Sequence, residues 1–160
     1  MAYDIIPYDP GLKGQIAELQ SHLWRGDAAT NIAYLEWKYE QNPYWQAPLV
    51  YLVVSGRQVV AMRGMFGSVW EAGPTSEPFP IPCADDLVIA PEHRNRGLVT
   101  PLMRAAFDDL ARRGYESVFS LSAGPVTLVM SLLDGWTRVG PVGRSSAGPL
   151  PACSIASRPG

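Results

Sequence analysis

A chain of 160 residues has room for one ordinary domain with a core of its own, and too little for two, so residues 1–160 read as a single unit. With 47 % apolar and 18 % charged residues the composition is globular rather than disordered. A net charge of −2 offers no general basic face of the kind that nucleic-acid phosphates demand.

The first segment, MAYDIIPYDPGLKG, lacks a basic region followed by a long apolar run, and nowhere does the chain reach the roughly 18 apolar residues of a membrane span. A soluble, cytoplasmic protein is the expectation. Cys83 and Cys153 match no metal-ligand spacing and read as reduced thiols. Tyr3 to Tyr8 reads as a short edge strand closed by Asp9-Pro10-Gly11. From Leu12 to Trp24 the apolar residues Leu12, Ile16, Leu19 and Leu23 recur at helical spacing, with a stop near Gly26. A second helix, capped by Thr30 or Asn31, places Ile32, Leu35 and Tyr39 on one face with Trp37 to the side, and it ends near Asn42-Pro43. Leu49 to Ser55 and Gln58 to Val69 form a hairpin around Gly56-Arg57, with a bulge or bend expected at Gly64 and Gly67. Four prolines in Gly73 to Pro82 mark an exposed loop.

The organising stretch is Asp85 to Tyr115. It opens on the β-branched run Leu87-Val88-Ile89, passes through a basic turn from Pro91 to Gly97, and continues into a helix. Val99, Leu102, Met103, Ala106, Phe107 and Leu110 share one face of that helix; Arg104, Asp108, Asp109, Arg112 and Arg113 share the other. The first amides of a helix have no partner within it, and its dipole adds about half a positive charge there, so such a junction attracts anions. Gly97 lets the main chain approach a ligand, and Arg94 and Arg96 add charge for a phosphate. Pro101 suits the first helical turn. Ser117 to Ser122 is then a strand crossing back beside Leu87, Pro125 to Leu133 a helix ending at Gly135-Trp136, and Arg138 to Val142 a strand. The tail is rich in Gly, Ser and Pro, and no internal repeat appears.

The run His93-Arg94-Asn95-Arg96-Gly97-Leu98-Val99-Thr100-Pro101-Leu102 resembles the acyl-CoA-binding motif of the GNAT superfamily of N-acyltransferases: Arg94 and Gly97 match, and Val99 stands at the second small position. The order of elements from Tyr3 to Val142 is similar to that fold, a mixed α/β (α+β) sheet flanked by helices; its usual last strand would come from Leu150 to Ile155. The resemblance implies acetyl-CoA, or another acyl-CoA, as donor and no metal. Asn95, Arg96, Gly97, Leu98, Val99 and Thr100 would hold its pyrophosphate, and Leu87, Val88 and Ile89 would pair with its pantetheine arm. The acceptor would be an amine on a small molecule or peptide, with no nucleic acid or membrane involved and a homodimer compatible with the family. The segment Tyr34 to Tyr39 before Asn42-Pro43 looks like a GNAT branch with a Trp-Lys-Tyr helix, which makes Trp37 and Tyr39 substrate-site candidates.

Acyl transfer to an amine needs a proton acceptor for the amine and a donor for the departing thiolate. The family places an acid where Asp85 and Asp86 stand; alternation along a strand would turn one of them away, and the plain alternative is a solvated pair at a strand start. The family's Asn and Tyr on the last helix fall on Gly124 and Ser131, so both usual groups are absent, and Ser131 reads as a packing residue before it reads as a weak acid through its hydroxyl or a water. His93 is a candidate base or an exposed turn residue, and neither cysteine has the partners of a nucleophile. The residues therefore support a direct N-acyltransferase, with a non-catalytic acyl-CoA-binding domain or one module of a longer enzyme as alternatives.

Overall fold

The computed structural model describes residues 2–71, 77–121, 124–141 and 152–157. β1 (Asp4–Pro7) pairs antiparallel with β2 (Leu49–Ser55), which forms a hairpin with β3 (Gln58–Trp70). Gly56 makes that turn at a φ of +63°, a left-handed conformation that glycine adopts without strain. β4 (Phe79–Ile89) lies antiparallel to β3, and β5 (Ser117–Ser120) runs parallel to β4. β6 (Thr137–Pro141) and β7 (Ala152–Ser157) complete the sheet, with β7 inserted between β5 and β6.

β2 is buried on both faces, which is why its sequence is apolar without alternation. Val50 and Leu52 pack with Ile16, Leu19 and Leu35 from α1 (Lys13–Gln20) and α2 (Ala28–Leu35). Leu49, Tyr51 and Val53 face the opposite way, onto Leu102, Met103, Ala106 and Leu110 of α3 (Val99–Arg112). Burying side chains such as Leu102 and Leu110 contributes about 1.5–3 kcal/mol each. α4 (Pro125–Leu133) links β5 to β6. The fold is thus a mixed α/β sheet, mostly antiparallel, with helices on both faces. Among the described residues, no helix is long and apolar enough to cross a membrane.

The structure departs from the sequence expectations in instructive places. α1 stops at Gln20, and Ser21 to Trp24 form a turn closed by Trp24 N donating to Gln20 O at 2.8 Å. α2 is capped by Asp27, whose Oδ1 accepts from Thr30 N at 2.7 Å, so the helix starts ahead of Thr30 and Asn31. Pro80 and Pro82 lie inside β4 rather than in a loop. Being two residues apart, both missing N–H groups fall on one edge of the strand, and β5 begins its pairing only at Cys83. Gly73 to Ser76, the start of that expected loop, and Ser122 lie outside the described residues. The expected irregularity does fall beside Gly64, but the extra residue lies on β4, and Gly64 and Gly67 themselves stay paired within β3. A Cβ on Gly64 would land on the Tyr39 hydroxyl, and one on Gly67 on the Trp45 indole nitrogen, so close ring packing demands glycine there. The weakly patterned tail supplies β7, pairing with β5 and β6.

Candidate active site

β4 and β5 share one register pair, Cys83 with Phe119, and beyond it the β5-side edge of β4 has no strand partner among the described residues. β4 carries one residue too many at this point. Arg63 pairs with Leu87 and Gly64 with Asp85, which leaves Asp86 as a bulge at a φ of +39°. Beside the parted strands lies a cleft of about 510 Å³, lined by Leu87, Val88, Ile89 and the loop 94–100, with His22, Leu23 and Met130 also on its wall.

The loop is built for an anion. Asn95 (φ +58°) and Gly97 (φ +69°) both take left-handed conformations, and successive amides around such residues form concave anion sites. α3 starts at Val99 with no side-chain cap on Leu98. Among the described residues, the amides of Asn95, Gly97, Leu98, Val99 and Thr100 make no hydrogen bond. Nothing stands near a Cβ built on Gly97, so its backbone angle rather than crowding requires the glycine. Arg94 turns back, its Nε donating to Ile89 O at 3.1 Å, and Arg96 is exposed beside it.

On the α1–α2 face of the sheet a second irregularity meets the bulge. Glu36–Glu40 is a π turn, with Gln41 N donating to Glu36 O at 2.8 Å. Lys13 Nζ braces it, reaching Glu36 Oε1 and Glu40 Oε2 at 2.8 Å each, and Tyr8 donates to Glu40 at 2.6 Å. The wider turn buries the consecutive residues Lys38 and Tyr39, and the strand bulge aims the consecutive residues Asp85 and Asp86 at them. Lys38 Nζ donates to Asp85 Oδ2 at 2.6 Å, to Asp86 Oδ2 at 3.1 Å and to Tyr34 Oη at 2.8 Å. Tyr39 Oη donates to Asp86 Oδ2 at 2.7 Å, and Trp24 Nε1 to Asp86 Oδ1 at 3.2 Å. The rings of Trp24, Tyr34, Tyr39 and Phe66 surround the ammonium with centroids 5.0 to 5.9 Å away.

Burial pulls the Lys38 pKa down, but the carboxylates of Asp86 and Asp85 more than offset it, and the net shift is upward. Burial, then Asp86, pushes the Tyr39 phenol well above its usual range. Both oxygens of Asp86 are engaged and its side chain is fully buried. Asp85 differs: its side chain is 45 % exposed, and Oδ1 makes no hydrogen bond among the described residues. The bulge breaks the strand alternation, so both acids turn toward Lys38, and neither lines the cleft beside β4.

The other candidates are placed less favourably. Tyr39 is buried with its hydroxyl on Asp86, which leaves no face for a substrate. Trp37 is 65 % exposed, its ring 5.9 Å from that of Tyr34. Met130, not Ser131, stands on the cleft wall, and Gly124 precedes α4 without a side-chain cap. His93 is buried rather than exposed, Nδ1 lying 3.0 Å from Tyr3 Oη, which spends it on packing the loop. Burial pushes the Cys83 thiol up to about 12, which keeps it unreactive; the side chain of Cys153 lies outside the described residues.

The acetyltransferase (GNAT) family model matches residues 16–125, from α1 through the bulge and the anion loop to the start of α4. The chain belongs to this family. Its fold is similar to that of an aminoglycoside 6'-N-acetyltransferase from Acinetobacter baumannii, at 16 % identity, with 92 % of this chain and 99 % of that one covered and a TM-score of 0.70. An apo aminoglycoside 6'-N-acetyltransferase from Acinetobacter haemolyticus matches at 21 % identity over 91 % and 99 % of the two chains, with a TM-score of 0.67. A third, solved with coenzyme A, matches at 17 % identity over 98 % and 99 %, with a TM-score of 0.68. No curated protein matches this GNAT chain in sequence.

Lys38 and Trp24 are the residues that sequence reasoning passed over. The available signal was a lysine flanked by Trp37 and Tyr39 on an otherwise apolar helix face. Gly64→Ala tests how tightly the centre is built. Its methyl would displace the Tyr39 ring, and overpacking of this kind costs about 1–3 kcal/mol. Gly56→Ala, with open space around it and only its backbone angle to oppose it, is expected to cost about 1–2 kcal/mol. Chemical denaturation of the two variants against the parent checks this.

Proposed function

We propose that the chain is an acyl-CoA-dependent N-acyltransferase that passes an acetyl group from acetyl-CoA directly to a primary amine. The observation that carries the reading is the uncapped start of α3, with its unpaired amides, opening onto the parted edge of β4. These residues fit the donor. The amides of 95–100 would hold its diphosphate, with Arg96 adding charge, and the edge at Leu87 to Ile89, which has no strand partner and whose Ile89 carbonyl accepts from Arg94, is of the right kind to pair with an amide-bearing pantetheine arm. When bound, acetyl-CoA supplies an activated thioester carbonyl.

The remaining chemistry belongs to the acceptor side. Asp85, the one carboxylate of the centre with an unspent, exposed oxygen, holds the acceptor ammonium and takes its proton. Asp86, Lys38, Tyr39 and Trp24 position it: Lys38 fixes Asp85 Oδ2, Asp86 compensates the buried ammonium, and the other two hold Asp86. The absence of an activated nucleophile among the cleft residues supports direct transfer. A second reading, an acyl-CoA-binding domain without turnover, is favoured by Met130 standing where α4 lines the cleft, since a thioether gives no proton to a thiolate.

Asp85→Asn separates the two. Loss of the base is expected to lower kcat by about 10²–10⁴ while the Kd for CoA stays within twofold, as measured by thiol release and calorimetry. A wild-type protein that binds CoA and releases no thiol with any amine supports the second reading. An Asn variant with unchanged kcat removes Asp85 from the role.

A further inference from the structure

We propose that His22 is the residue that gives a proton to the CoA sulfur as the acyl group leaves it. This rests on the transferase reading above and adds to that site the proton donor that Met130 cannot be. Two observations carry it, the chemistry of the cleft wall and the way the turn at 21–24 is fixed.

β4 and α4 present only Leu87, Val88, Ile89 and Met130 to the cleft, side chains with no proton to give. Across from them the loop presents Arg94 and Arg96, and a guanidinium does not deprotonate in a protein; the amide of Asn95 and the hydroxyl of Thr100 are far too weakly acidic. Asp85 and Asp86 turn toward Lys38 and do not line the cleft. Among the described residues of the wall, His22 therefore carries the one side chain that changes charge near neutral pH. The two histidines of the chain are differently engaged. His93 is buried with Nδ1 3.0 Å from Tyr3 Oη, whereas His22 is exposed and its imidazole makes no hydrogen bond among the described residues.

The turn that carries His22 is fixed at the fitting end of the cleft. Ser21 Oγ donates to Glu18 O at 2.6 Å, His22 N to Leu19 O at 3.1 Å and Trp24 N to Gln20 O at 2.8 Å, which closes the turn residue by residue. Trp24 Nε1 then pins it to Asp86 Oδ1 at 3.2 Å, at the bulge of β4. His22 stands two residues from that anchor, a reach of about 7 Å of chain. From the bulge β4 runs through Leu87, Val88 and Ile89 toward the loop 94–100, so the anion site lies at the far end of the same edge. An arm that rests its diphosphate on the loop and pairs along this edge brings its sulfur toward the bulge, and so toward His22. There the acceptor nitrogen bonds to the thioester carbon, the C–S bond breaks and its electron pair goes to sulfur. The imidazolium of His22 passes a ring N–H proton to that sulfur and recovers one from water, which its exposed ring meets directly. Of the two protons that the acceptor ammonium sheds in becoming an amide, one balances the proton gained by sulfur and the other goes to water.

Long-range proton–nitrogen NMR of the parent protein, with CoA and with desulfo-CoA as ligands, tests the contact without turnover. The expected result is that CoA shifts the ring resonances of His22, while desulfo-CoA, which has the same diphosphate and arm but no sulfur, leaves them near their free positions. Equal shifts with both ligands, or no shift with CoA bound, overturn the proposal. His22→Gln changes an exposed side chain without a hydrogen bond, so the melting temperature and the affinity for CoA are expected to stay those of the parent. Its kcat for thiol release from acetyl-CoA, with an amine that the parent accepts, is expected to fall about 10²-fold or more, as loss of a general acid does. A variant that keeps the parent's kcat overturns the proposal and leaves the transferase reading standing. A parent protein that binds CoA and releases thiol with no amine overturns the transferase reading, and this inference with it.

Discussion

Replacing Lys38 by Met is expected to lower the stability of the protein by about 3 kcal/mol, because it leaves the carboxylate of Asp86 buried without a cation. For a chain of this size that corresponds to a fall in Tm of about 6–12 °C. The reason is the asymmetry of buried charge: a compensated ion pair is close to neutral in its effect, whereas an orphaned ion carries its whole desolvation cost. The double variant Lys38→Met with Asp86→Asn should therefore be less destabilised than the two single changes added together. Thermal melts of the four proteins form a double-mutant cycle that measures the coupling. Additive effects would mean that the 3.1 Å contact between Lys38 and Asp86 contributes nothing of its own. The same substitution brings Asp85 and Asp86 together without the cation between them. Arg63, buried on the neighbouring β3, Cys83 on β4, and Tyr34 and Tyr39 are the other titratable groups about this pair, and none of them replaces a cation hydrogen-bonded to both.

Gly97→Glu is expected to weaken CoA binding at least about 100-fold with the fold retained. It sets a carboxylate into the concavity of amides proposed to hold the diphosphate, where charge-assisted bonds would contribute about 1.5–3 kcal/mol each. It also forces a side chain into a φ of +69°, at a cost of about 1–2 kcal/mol. Gly97→Ala carries the second penalty without the first, since nothing crowds its Cβ, and should bind CoA within about tenfold of the parent. Calorimetry with CoA on both variants, alongside their melting curves, distinguishes charge from backbone strain: equal loss in both would assign the effect to strain.

How much of this was legible in the residues differs from element to element. The hairpin, β4, the anion loop and α3 were readable because each is decided locally: β-branched runs, a turn glycine and an amphipathic stripe leave the chain little choice. The order of those elements carried the resemblance that the family match then bore out. Pro80 and Pro82 were misread as loop because whether a strand tolerates proline depends on what lies along its edge, which no local pattern records. The tail was unreadable as β7 for a similar reason: its pairing is supplied by β5 and β6, far away in sequence.

The candidate site divides along the same line. Gly97, Pro101 and the helix start lie within ten residues of one another, so an anion-attracting junction could be read from spacing, while acyl-CoA as the anion came only from the family resemblance. The acceptor side joins Trp24, Tyr34, Lys38 and Tyr39 to Asp85 and Asp86, separated by up to 62 positions. Its geometry depends on two departures from regular periodicity, the π turn at Glu36–Glu40 and the bulge at Asp86, each of which turns two consecutive side chains the same way. A periodic reading assigns one of each pair to the wrong face. What the linear order of residues determined was the sheet-and-helix plan and the place where a phosphate can sit; what tertiary packing decided was which acid stays free, because burial and partners, not residue type, separate Asp85 from Asp86.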